Sequence, residues 1–138
     1  VLTELKAIHD QLREAIAELA AVVTQPEMND AALTAARLKL TRMSRRRRSL
    51  IDSSIYPLLY DLPAAEAVGL EELRLEAGRL AAQSSDHIGR WTMRTITADW
   101  PGYQRASAAM RASMLKRIER EAAILYPLLE TRAKREAA

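Results

Sequence analysis

The sequence predicts an all-α fold, an up-down-up-down antiparallel four-helix bundle formed by residues 1–138 as one domain. Three observations predict it. Apolar residues recur at helical spacing along four long stretches, separated by short turns marked by Pro26, Pro63 and Trp100-Pro101-Gly102. Ala, Leu, Arg and Glu dominate while Gly (4) and Pro (5) are scarce, the composition of packed helices. Finally, Tyr56-Pro57-Leu58-Leu59 recurs as Tyr126-Pro127-Leu128-Leu129, with Arg47 aligned on Arg117, so two similar helix ends are expected to face each other.

The first helix is expected from Val1 to about Thr24. Its inward stripe, Leu2, Leu5, His9, Leu12, Ile16, Leu19 and Val23, is aliphatic except at His9. Asn29 or Asp30 caps a second helix that should run to about Tyr60, with Leu33, Ala36, Leu40, Met43, Arg47, Leu50, Ile51, Ser54 and Leu58 inward. A proline near its end removes a backbone donor and should loosen the last turns, here and at Pro127. The third helix should start between Ala64 and Leu70 and continue to Asp99, its stripe reading Leu70, Leu73, Ala77, Leu80, Ser84, His87, Trp91 and Thr95. Gly78 inside it suggests a close helix approach. The fourth should run from about Tyr103 into the 130s with Ala106, Met110, Met114, Arg117, Glu121, Leu125 and Leu128 inward, before a polar tail that frays.

With sequential helices antiparallel and a rise of about 1.5 Å per residue, the ionisable residues of the four stripes fall at one level. His9, Arg47, His87, Arg117 and Glu121 are thus expected in one interior polar layer, either an ion-pair network or a ligand pocket. Arg117 and Glu121, one turn apart, can pair along their own helix, or both arginines can meet Glu121 across the bundle. Met114, Ile51 and Trp91 border this layer and are expected to wall a pocket, Trp91 otherwise packing in the core. His9 and His87 each read as a hydrogen-bonded core histidine or as a ligand.

Composition removes several functions. There is no cysteine, hence no disulfide, thiolate metal site or cysteine nucleophile. No apolar run reaches the roughly 20 residues of a membrane span, so membrane association is not expected and the expected location is cytoplasmic. The net charge is +3, with a basic run from Arg45 to Arg48. No aromatic is interleaved with it and no recognition-helix pattern follows, so nucleic-acid binding is not expected. No nucleophile–base pair or phosphate-binding glycine loop supports catalysis.

These residues resemble the hemerythrin-like (HHE cation-binding) domains. In that family a His on the first helix, a His-x-x-x-Glu before an aromatic-Pro pair on the second, a His on the third and a second such motif on the fourth hold a non-haem di-iron centre. The stretch from Arg117 to Pro127 is similar to the fourth-helix motif, with Glu121 retained and Arg117 where the family has His. Arg47 and Ile51 stand where the second helix has His and Glu; His9 and His87 match the single histidines. The position one turn after His87, often another ligand, is Trp91. A guanidinium offers no lone pair, so the resemblance implies a bundle that has lost its iron site. No metal or cofactor is then expected, and the function implied is a non-enzymatic binding, sensing or regulatory module whose partner is a protein or small ligand. Self-association into a homodimer is left open. The alternative is a non-haem iron or other metal protein using His9, His87 and Glu121 for oxygen or metal sensing. A histidine phosphotransfer domain, a third reading, would need an exposed histidine, whereas both lie on inward stripes.

Overall fold

A computed structural model describes all 138 residues, and the chain is helical throughout, with no strand. Helix α1 spans Leu2–Val23, α2 Asp30–Leu50, α3 Ala64–Arg90, α4 Met93–Ala98 and α5 Trp100–Ala137. Along α1, Leu5, His9, Leu12, Ile16, Leu19 and Val23 are buried as their spacing predicts, joined by Ile8 and Ala15, which widen the stripe to that of a helix packed on two neighbours. Those neighbours are α2 and α5; α3 and α4 pack on α5. Asn29 caps α2 by accepting from the Ala32 amide at 3.0 Å.

The two Tyr-Pro ends differ. In α5, Pro127 is absorbed and the helix continues to Ala137, so the expected frayed tail is helical and Arg132 and Glu136 pair one turn apart at 3.2 Å. After α2 the chain widens into a π turn over Ile51–Ile55 and then tightens into a 3₁₀ turn over Tyr56–Leu59. The expected continuous helix to Tyr60 is therefore interrupted. The cause is the local sequence: Asp52-Ser53-Ser54 precede Pro57, where Ala122-Ala123-Ile124 precede Pro127, and Ser and Asp hold a helix less well than Ala. A π turn carries one extra residue. It shifts the inward face by one position, so Ile55 and Leu59 are buried instead of the expected Ser54 and Leu58.

The third predicted helix is also divided. It stops at Arg90, and Thr92 caps α4 by accepting from the Thr95 amide at 3.3 Å. The run Thr92, Thr95, Ile96 and Thr97 is β-branched, and threonine hydroxyls that bond back to the chain compete with a continuing helix. Arg37 on α2 stabilises the break by donating to the Trp91 carbonyl at 2.7 Å. Asp99 caps α5 by accepting from the Gly102 amide at 2.9 Å, with Pro101 in the first turn. A side chain at 102 would collide with that cap, its Cβ falling 2.1 Å from Asp99 Oδ2.

Three apolar clusters form the core. One joins Leu5, the Ile51–Leu59 turns, Leu70, Leu73, Leu125 and Leu129. Another joins Leu19, Val23, Leu33, Ala36, Trp91, Ile96 and Tyr103. Between them lies a small cluster of Ile8, Leu12, Ile16 and Ile118, to which α3 contributes nothing. At this level α3 borders an open cavity with Ala77, Gly78, Ala81 and Ser84, of which Gly78 and Ser84 are exposed, and with the half-buried Leu80. Gly78 is not a close approach, since a Cβ there meets nothing within 4 Å. No helix is long and apolar enough to cross a membrane.

Candidate functional site

At the level of the small cluster the structure gathers four of the five predicted polar residues. Glu121, 0 % exposed, is their centre. Its Oε1 accepts from His9 Nε2 at 3.0 Å, and its Oε2 accepts from Arg117 Nε at 2.9 Å and from Arg47 Nη1. Both alternatives left open for the arginines are thus realised together, the pair along α5 and the pair across from α2. A heptad stripe on each helix puts these side chains inward, and the i,i+4 spacing of Arg117 and Glu121 lays them side by side.

His9 is equally enclosed. The carboxylate can only accept, so Nε2 carries a proton, and Nδ1 shares a hydrogen bond with the Tyr126 hydroxyl at 2.6 Å. Burial, with Asp10 and Glu121 nearby, pushes the Tyr126 hydroxyl up from its ordinary value near 10, against the pull of Arg13, which keeps it protonated. The aligned spacing of the two Tyr-Pro pairs could have suggested this contact, since Tyr126 follows Glu121 by five residues. Tyr56, its counterpart, is buried with its ring under the Arg74 guanidinium at 4.5 Å.

Arg117 also donates to α3, from Nη2 to the Leu73 carbonyl at 3.0 Å and from Nη1 to Glu76 at 3.4 Å. Glu76, which also takes Arg120 at 2.9 Å, is the functional neighbour that sequence reasoning missed. It sits beside Ala77 at the edge of the α3 stripe, and only the rotation of α3 decides that it meets Arg117. With Glu76 and Glu72, the second partner of Arg120, included, three guanidiniums face three carboxylates. No buried side-chain nitrogen or oxygen is left without a partner, which is the condition for a charged interior to be tolerated.

His87 does not join this layer. It is half-buried at the other end, its ring stacked on Tyr103 at 6.1 Å, in an aromatic cluster with Trp91 and Trp100 at 5.6 and 5.9 Å from the same ring. Burial, and Arg37 nearby, hold its imidazole below its ordinary value. Trp91 likewise does not wall the pocket; closing α3 turns it into the apolar end cluster. The polar layer meets α3 at Leu73 and Glu76, so His87, eleven residues after Glu76 on the same helix, lies about 16 Å further along it, and the helix end at Arg90 turns Trp91 into the end cluster.

Ile51 and Met114 border a cavity. It measures about 360 Å³, lies among α2, α3 and α5, reaches Leu12 of α1, and is within the ordinary size range of small-molecule sites. Arg47, Arg117 and Glu121 line it together with Arg48, Asp52 and Tyr56. Ser44, Ser84, Ser113 and Gln83 add neutral polar groups. Burial pulls the Arg47 guanidinium down from its usual range, opposed by Glu121 and assisted by Arg117 and Arg48.

The residues present do not fit the non-haem iron of the alternative reading. Both ring nitrogens of His9 and both oxygens of Glu121 are already engaged, two guanidiniums occupy the adjoining space, and His87 belongs to another cluster. No three His, Asp or Glu side chains come together in an arrangement able to hold a metal ion. No family model, curated protein or solved structure matches this chain.

Proposed function

We propose that the protein is a non-enzymatic, hemerythrin-like four-helix bundle without an iron centre, which binds a small molecule in the cavity among α2, α3 and α5 and acts as a sensing or regulatory module. The up-down-up-down arrangement is supported by the membership of the end clusters. One joins the start of α1, the turns after α2, the start of α3 and the end of α5; the other joins the opposite ends. The observation that carries the functional reading is the buried Glu121, held by His9, Arg47 and Arg117 at the wall of an open cavity. In the family it resembles, that level holds the metal. Here an ion-pair network takes the metal's electrostatic role and leaves room for a ligand.

Two measurements on the purified chain test this. Elemental analysis should find no stoichiometric iron, manganese or zinc; one or two ions per chain, lost on His9→Ala, would favour the metal-binding alternative. A thermal-shift screen of small molecules should yield ligands that raise the melting temperature by mass action on the folded state. Their stabilisation should vanish when the cavity is filled by Gly78→Leu.

A further inference from the structure

We infer that the cavity takes a small amphipathic organic anion, a monocarboxylate of about a dozen non-hydrogen atoms, with its carboxylate on Arg47 and its apolar body against Leu12, Ile51, Leu80, Met110 and Met114. This rests on the reading of the cavity as a binding site. The charge preference comes from how the donors are spent. Arg117 uses all three of its nitrogens on Glu121, Glu76 and the Leu73 carbonyl. Arg47 makes one hydrogen bond in the protein, through Nη1 to Glu121. A guanidinium carries five N–H groups. Those left on Arg47 face the cavity, where the side chain is 17 % exposed and no buried polar side-chain atom is unpaired. They form a planar fork suited to a carboxylate.

The rest of the lining limits the ligand further. Arg47, Arg48 and Arg117 line the cavity with Asp52 and Glu121, and Glu76, just outside the lining, already pairs with Arg117. Glu121 is fully engaged by His9, Arg47 and Arg117, so the unspent polar capacity deep in the cavity is the donor fork of Arg47, and a polyanion would meet both carboxylates. Nine of the 19 lining residues are hydrophobic, which calls for an apolar body and argues against inorganic anions. At about 30 Å³ of liquid per water, the space corresponds to on the order of a dozen waters, and this sets the size of the ligand.

The test is calorimetric titration of the full chain with 4-phenylbutanoate, neutral 4-phenylbutanamide, 4-phenylbutylamine and inorganic phosphate. The carboxylate should bind at least tenfold more tightly than the amide, with the amine and phosphate weaker still. Gly78→Leu, whose new side chain enters open space, should fold and lose the binding. Arg47→Gln should bring the acid down to the affinity of the amide; should this variant fail to fold, the Gly78→Leu comparison and the probe series still decide. Acid and amide binding alike, both abolished by Gly78→Leu, would overturn the anion assignment and leave the binding site standing. Binding by none of the three phenylbutyl probes would overturn the binding site itself. Carboxylate binding unchanged in Gly78→Leu would put the anion on the exposed arginines of α2 and sink the proposal.

Discussion

Glu121→Gln tests the interior layer most directly. Gln keeps the shape of the side chain but replaces one acceptor oxygen by an NH₂ donor and removes the charge. In the native protein the two oxygens accept from His9, Arg47 and Arg117, and the residue is fully buried. The variant therefore sets a donor against donors, and leaves two guanidiniums with only Glu76, whose side chain is 30 % exposed, as counter-charge. Removing one member of a buried ion pair costs about 3–5 kcal/mol. Unfolding entropy of about 2.1 cal/mol/K per residue gives roughly 0.3 kcal/mol/K for a chain of 138 residues, so the melting temperature should fall by about 10–17 °C. The assay is thermal unfolding followed by circular dichroism, repeated in urea to check that the denaturant slope is unchanged. Glu119→Gln, exposed on the same helix and outside every ion pair, is the control and should leave the transition in place. Adding Arg47→Gln to Glu121→Gln should restore part of the loss, because the two share one interaction. A fall of less than about 3 °C for Glu121→Gln, near the value of an exposed pair, would refute the buried network.

Arg47→Ala should destabilise the protein by a similar amount, whereas Arg45→Ala, on the exposed side of the same basic run, should leave the melting temperature unchanged; equal shifts would show that the phase of α2 is wrong. Tyr126→Phe leaves the buried Nδ1 of His9 without its partner and should cost about 1–3 kcal/mol, read from denaturant unfolding. His87 has a lowered folded-state pKa, so the unfolded chain binds its proton more readily. Its contribution to stability is complete above the unfolded value near 6.5 and is lost as pH falls toward the lower folded value. Melting temperatures measured between pH 7.5 and 5 should therefore decline less in His87→Gln than in the native chain.

Four of the five polar-layer residues were legible because they obey local rules. His9 interrupts an aliphatic heptad, Arg117 and Glu121 are four apart on one helix, and Arg47 aligns with Arg117 through the repeated Tyr-Pro pair. His87 obeys the same stripe rule and still lies elsewhere, because the count of its height supposes a helix end at Asp99, whereas α3 ends at Arg90 and meets Arg117 at Leu73 and Glu76. The repeat itself misled in one respect: identical Tyr-Pro-Leu-Leu segments end in a continuous helix in α5 and in π and 3₁₀ turns after α2. The helix propensity of the preceding residues and the nearby Pro63 decide between them.

The sequence by itself determined the helical class, the places where the long helices begin, and the inward position of His9, Arg47, Arg117 and Glu121. Each of these depends on period, capping or proline geometry within a few residues along the chain. Only the tertiary structure decided that Glu76 meets Arg117, that Tyr126 meets His9, that Trp91 and His87 join the aromatic end cluster, and that a cavity opens beside Arg47. Those outcomes turn on the rotation of each helix about its axis and on what the facing helix presents at the same height. Small residues such as Ala77, Gly78 and Ala81 leave a cavity only where the residues opposite do not extend to fill it, and that depends on side chains far apart in the chain.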